Sequence, residues 1–109
     1  MATRVVITHL NRSKVNQIDQ WPLDSLSEIS IGRDQASTIA FDLQRDDMVS
    51  RRHAVIKIER GEVPSCKIAD LGSSNGTSVN GHSVASQLLR HGDVIRVGHT
   101  KLVFQQELM

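Results

Sequence analysis

Most apolar residues of this chain fall into short runs of period two, and each run is closed by a cluster of Gly, Asn, Asp or Ser. Ala54, Ile56 and Ile58 alternate with Val55, Lys57 and Glu59. That spacing puts one set of side chains on each face of a strand. Similar runs at 4–9, 28–31, 66–71, 94–97 and 102–105 predict further short strands, and many short strands with frequent turns imply a sandwich or barrel. The sharpest local signal is Asn80-Gly81, whose residue types suit the two positive φ angles of a two-residue type I′ hairpin turn. Turns at Arg90-His91-Gly92-Asp93 and Gly98-His99 make the last third a succession of antiparallel strands. Only residues 84–91, with Val84 and Leu88 four apart, have helical spacing, and a segment this short forms no stable helix without packing.

No internal repeat, linker or break in composition divides the 109 residues, so residues 1–109 are expected to form one domain around one core. The formal charge of +1 and the scarcity of aromatic residues, Trp21, Phe41 and Phe104 alone, argue against a nucleic-acid binder. Such proteins neutralise several phosphates or stack bases on aromatic rings. Cys66 is the single cysteine, which rules out an intrachain disulfide and a cysteine metal cluster and suits a reducing compartment. The apolar run at 5–7 is too brief for a signal-peptide core, and no stretch is long enough to span a bilayer. A cytoplasmic location without membrane insertion is expected. The triplets Asn11-Arg12-Ser13 and Asn75-Gly76-Thr77 match the glycosylation pattern but have no consequence without secretion.

Two strings invite a catalytic reading. Gly72-Ser73-Ser74-Asn75-Gly76 matches the G-x-S-x-G nucleophile elbow, yet that elbow joins a strand to a helix and here a hairpin follows. Ser50, His53 and Asp70 have the composition of a triad, but nothing beside them builds an oxyanion hole, and a histidine pinning a loop is the better account. No enzyme activity is expected. The histidines at 9, 53, 82, 91 and 99 lack the spacing of a local zinc motif, so neither metal nor cofactor is expected. Cys66 reads as a small core residue, and Trp21 as either core or an exposed anchor.

The remaining polar stretches, 32–52 and 71–76, contain parts that suit an anion. These are Arg33 after Gly32, then Ser50-Arg51, then a Ser/Asn/Gly loop at 73–76. Arginine offers a fork of donors matched to phosphate oxygens, a serine adds a hydroxyl, and loop N–H groups add more. Arg45, Asp46 and Asp47 read as a mixed-charge loop, and Arg52 as facing solvent.

The order GR, SRRH, DLGSSNGTSVNG and LRHGDVIRVG resembles the forkhead-associated (FHA) domain over residues 31–98. The resemblance implies an all-β sandwich of two antiparallel sheets with about eleven strands. It further implies a module that recognises phosphothreonine in a partner protein and acts as an adaptor downstream of a Ser/Thr kinase, monomeric as an isolated domain. Carried over, it assigns the phosphate to Arg33, Ser50 and Arg51, and the peptide backbone to Asn75 with support from Ser74. Gly32, His53 and Gly76 become scaffold, while Met48 and Ser73 become specificity positions. Met48 stands where some relatives carry a basic residue, which implies an apolar or unselective preference downstream of the phosphothreonine. The alternative is a phosphate-independent interaction or oligomerisation module on the same fold.

Overall fold

The computed structural model describes residues 3–108. Its strands are β1 (Thr3–His9), β2 (Ile18–Pro22), β3 (Glu28–Gly32), β4 (Ile39–Ala40), β5 (Ala54–Glu59), β6 (Ser65–Asp70), β7 (Thr77–Val79), β8 (His82–Ser83), β9 (Ser86–Leu88), β10 (Val94–Val97) and β11 (Thr100–Leu108). A 3-10 turn, Arg12–Lys14, lies between β1 and β2. One sheet has six strands in the order β2-β1-β11-β10-β7-β8, the other five in the order β4-β3-β5-β6-β9. Pairing is antiparallel except between β3 and β4, which run parallel with Ile31 opposite Ile39 and Gly32 opposite Ala40. Only this pair departs from the expected pattern, because residues 33–38 loop out and return in the original direction.

Period-two alternation becomes the inner face of each sheet. Val5, Ile7, Leu102, Phe104, Ile95 and Val97 point inward from the first sheet and meet Ile29, Ile31, Ile56, Ile58 and Ile68 from the second. Phe41 and Val49, from the connection between β4 and β5, close one end of this core. Cys66 is wholly buried, and desolvation raises its thiol to about 11, which makes it a packing residue rather than a nucleophile. Trp21 packs against the core, which decides between its two readings. The Asn80-Gly81 turn has φ of 52° and 85°, as a type I′ hairpin needs.

Three elements depart from simple alternation. β2 carries Asp19 facing the same side as Trp21, where its carboxylate accepts a hydrogen bond from His9 Nε2 at 2.8 Å. The polar partner hides the strand from a hydrophobicity reading. Residues 84–91 contain β9 instead of a helix: Val84 and Leu89 turn into the core, while Ser86–Leu88 add an exposed edge to β6. β11 runs beyond the expected 102–105 because β10 pairs its start and β1 its remainder, so the ladder continues through Gln105, Gln106 and Glu107.

The central position of β5 makes its inward isoleucines the most sensitive core sites. Ile56→Ala is expected to cost about 2–5 kcal/mol in chemical denaturation. Val63→Ala, at a side chain 83% exposed, should stay within about 0.5 kcal/mol of the parent.

Candidate functional site

Three connections meet at one end of the sandwich: β3 to β4, β4 to β5, and β6 to β7. Their backbones interlock. Arg33 N–H donates to Ser50 O at 3.1 Å, Asp34 N–H to Arg51 O at 3.0 Å, and His53 N–H to Ile31 O at 2.9 Å. Two glycines set how close the segment around Ser50 can lie. A Cβ on Gly32 would stand 2.0 Å from Arg51 O, and one on Gly98, in the turn between β10 and β11, 2.4 Å from Met48 O. A glycine of the five-stranded sheet and a turn glycine of the other thus support the two ends of the Met48-Val49-Ser50-Arg51 segment. Gly98, read from the sequence only as a turn former, is part of this support.

His53 joins the loops. It is fully buried, its Nδ1 accepts the Ser50 N–H at 2.9 Å, and its Nε2 stands 2.8 Å from Gly76 O. A carbonyl can only accept, so Nε2 carries the proton and the ring is neutral. Burial pushes its pKa below the ordinary 6.5, against the opposing pull of the Gly76 carbonyl and the Asp70 charge.

Asp70 shapes the third loop and was seen in the sequence only as a triad candidate. Its carboxylate accepts from Gly72 N–H at 2.9 Å, Ser73 N–H at 3.0 Å, Ser73 Oγ at 2.5 Å and Thr77 Oγ1 at 2.7 Å. Desolvation raises its pKa, but the Ser73 and Thr77 hydroxyls and the two N–H groups outweigh it and hold the group below its ordinary value. Ser73 Oγ also accepts Gly76 N–H at 3.0 Å. The hydroxyl expected to read specificity is therefore used inside the loop. An acid followed by glycine two residues on suits an Asx-turn, the pattern that could have identified Asp70 as the organiser.

These bonds leave a defined set of groups facing outward. Arg33 donates through Nε to Val49 O and through Nη1 to Leu43 O at 3.1 Å, which uses two of its five N–H groups and leaves three. Ser50 Oγ accepts Ser74 N–H at 3.0 Å and keeps its own proton to donate. Asn75 Nδ2 donates to Met48 O at 2.9 Å. Its Oδ1 has no hydrogen-bond partner among the described residues. Arg51 and Arg52 are exposed and unpaired among the described residues. The triad does not assemble: both ring nitrogens of His53 meet backbone groups and Asp70 faces its own loop. Ser74 is followed by β7, not by the helix an elbow requires.

Within the mixed-charge loop at 45–47, Asp46 is buried, and its Oδ2 accepts Asp42 N–H at 2.9 Å and the Ser13 hydroxyl. The turn at Arg12–Lys14 is thereby tied to the loop that holds Arg33. Asp42 accepts from the backbone N–H groups of Arg45 and Gln44, which hold its pKa low. No group of three or more His, Cys, Asp or Glu able to hold a metal occurs among the described residues.

Gly32→Ala is expected to cost about 3 kcal/mol, since the new methyl meets backbone that cannot step aside. Gly61→Ala, with nothing nearer than 4.0 Å, should be within about 0.5 kcal/mol of the parent in the same denaturation series. His53 and His9 both titrate below 6.5 in the folded state, so the unfolded chain binds protons more readily. Their contribution is complete above pH 6.5 and declines as pH falls through and below that value. Denaturation midpoints at pH 7.5 and 5.5 should show this loss, with a shallower slope in His53→Asn.

The FHA domain family profile matches residues 29–98. Over 75 residues the chain is 44% identical to the glycogen accumulation regulator GarA of Mycolicibacterium smegmatis, covering 69% of this chain and 44% of that protein. Over 73 residues it is 45% identical to the oxoglutarate dehydrogenase inhibitor of Corynebacterium efficiens, covering 67% and 47%. The matched segment thus spans a little under half of these curated relatives. A solved FHA domain described for its phosphothreonine-dependent interactions superposes with a TM-score of 0.80 at 31% identity, over 97% of this chain and 99% of that one. The chain belongs to the FHA domain family.

Proposed function

We propose that this chain binds phosphothreonine in a partner protein and acts as a regulatory adaptor once a Ser/Thr kinase has modified that partner. The observation that supports this most is the convergence of donors at one end of the sandwich: three free N–H groups of Arg33, the Ser50 hydroxyl and the unpaired Arg51. A phosphate monoester carries nearly two negative charges and three acceptor oxygens, so several fixed donors are what it requires. Asn75 has Oδ1 and its second Nδ2 hydrogen for the N–H and C=O of an extended peptide. Because Arg33 and Ser50 are held by backbone bonds before any ligand arrives, little ordering entropy opposes their part of the binding, and only Arg51 has to be ordered by the ligand.

The role of each group follows from its surroundings. Arg33, Ser50 and Arg51 hold the phosphate, Asn75 holds the peptide backbone, and Ser74 positions Ser50. Met48, beside Asn75, presents a thioether where an acidic side chain would find no counter-charge. GarA and the oxoglutarate dehydrogenase inhibitor are a named regulator and a named inhibitor. A binding module that acts on a phosphorylated partner in the cytoplasm, without a reaction of its own, is consistent with both.

The test is calorimetric titration with matched threonine, phosphothreonine and phosphoserine peptides. Phosphothreonine should bind, threonine should not, and phosphoserine should be weaker by about tenfold or more for the missing methyl. Arg33→Ala should weaken phosphothreonine binding by about 10–100-fold, the worth of charge-assisted hydrogen bonds, with circular dichroism showing the sheet content retained. Equal binding of threonine and phosphothreonine peptides overturns the proposal.

A further inference from the structure

A groove of about 380 Å³ runs down the outer face of the five-stranded sheet, beginning at the loop end. Its floor is the cross-strand pair Ser30 and Val55 of β3 and β5. The groove exists because residues 34–37 stand away from the sheet. Thr38 and Ser30 bridge through their hydroxyls, Thr38 N–H donating to Ser30 Oγ at 2.8 Å and Ser30 N–H to Thr38 Oγ1 at 3.1 Å. These side-chain bonds replace the ladder just before β4 and leave the lifted segment as a wall. Leu71 forms part of the lining nearest the loops, 47% exposed, with its N–H fixed to His53 O at 2.9 Å. The residue that bridges the phosphate loops therefore also holds the exposed leucine in place.

The groove is continuous with the loops. Arg52 follows Arg51, Asp34 follows Arg33, and Leu71 precedes the loop ending in Asn75 and Gly76. It lies on a defined flank, because Arg51 rests on Gly32 of the five-stranded sheet while Met48 rests on Gly98 in the turn that joins two strands of the six-stranded sheet. A chain crossing the phosphate position with one flank at Met48 sends its other flank toward Arg52 and Leu71. The lining reaches along β5 to Lys57, and Ala54 to Lys57 alone spans about 10 Å at strand rise, enough for a few extended residues. Its volume is at the low end of the roughly 300–1,000 Å³ typical of ligand clefts, which suits one or two side chains.

We propose that this groove is a second docking subsite that takes an aliphatic side chain of the bound partner, on the side of the phosphothreonine away from Met48. The occupant is the same polypeptide whose phosphate the loops hold, so the inference rests on that reading of the loops. Leu71 and Val55 provide the apolar contact, and residues 34, 36 and 37 bound the groove on one side.

A phosphopeptide library with a fixed phosphothreonine and randomised flanks, followed by titration of single peptides, tests this. Wild type should enrich Leu, Ile or Val at a position on one flank only, and the chosen peptide should bind about tenfold tighter than its alanine analogue. Leu71→Gln, which removes the apolar contact without adding charge, should abolish that preference while binding a short phosphothreonine peptide as tightly as wild type. Amide shifts of Ser30, Val55 and Lys57 should respond to the long peptide and not to the short one. Equal binding of the aliphatic and alanine peptides, or a preference that survives in Leu71→Gln, overturns the subsite while phosphothreonine dependence stands. Loss of phosphothreonine dependence in wild type is a separate outcome that overturns the reading of the loops and the subsite with it.

Discussion

The loop end of this domain depends on one neutral imidazole. His53 takes a proton donor from one loop and gives its own proton to another, and its backbone carbonyl holds Leu71 at the mouth of the groove. A buried ring with both nitrogens satisfied is stable only in a single tautomer, so the geometry it imposes is specific. A lysine or serine at the same place could not offer a donor and an acceptor at that separation. The site is set by a side chain that has no outward-facing polar atom left for a ligand.

The same division appears throughout the loops. Gly32 and Gly98 admit the Met48-Val49-Ser50-Arg51 segment between the sheets, Asp70 folds the Gly72-Ser73 turn, and Asp46 ties the turn at Arg12–Lys14 to the Arg33 loop. Inward-facing polar groups are spent on neighbouring backbone and hydroxyl groups, Asp46 Oδ1 excepted. What remains outward, on Arg33, Ser50, Arg51 and Asn75, is excess donor capacity with one acceptor. An anion is the ligand class such an excess suits, because each unmet donor costs little in water and gains much against a phosphate oxygen.

Much of the fold was legible because a half-buried strand must alternate. β1, β3, β5, β6, β10 and the hairpin at Asn80-Gly81 follow from period two and one turn dipeptide. β2, β4 and β9 were not legible, since each lies at a sheet edge where solvent accepts almost any side chain and pairing is dictated by the neighbouring strand. In the loops, the outward residues were found through motif order. Their braces were overlooked because Asp46 and Gly98 act on residues distant in the chain, while Ser73 looked available until Asp70 and Gly76 claimed its hydroxyl.

The amino-acid sequence by itself determined the class of fold, the position of the hairpin and the family to which the chain belongs, because these rest on local periodicity and on residues in fixed order. Only the tertiary structure decided which polar groups are consumed and which stay free. It showed Asp46 buried, the Ser50–His53–Asp70 set unassembled, and Leu71 pinned beside a groove that no sequence pattern marks. The physical reason is that a hydrogen-bonding group has a fixed capacity, and how that capacity is used depends on which distant backbone atoms folding brings within 3 Å of it.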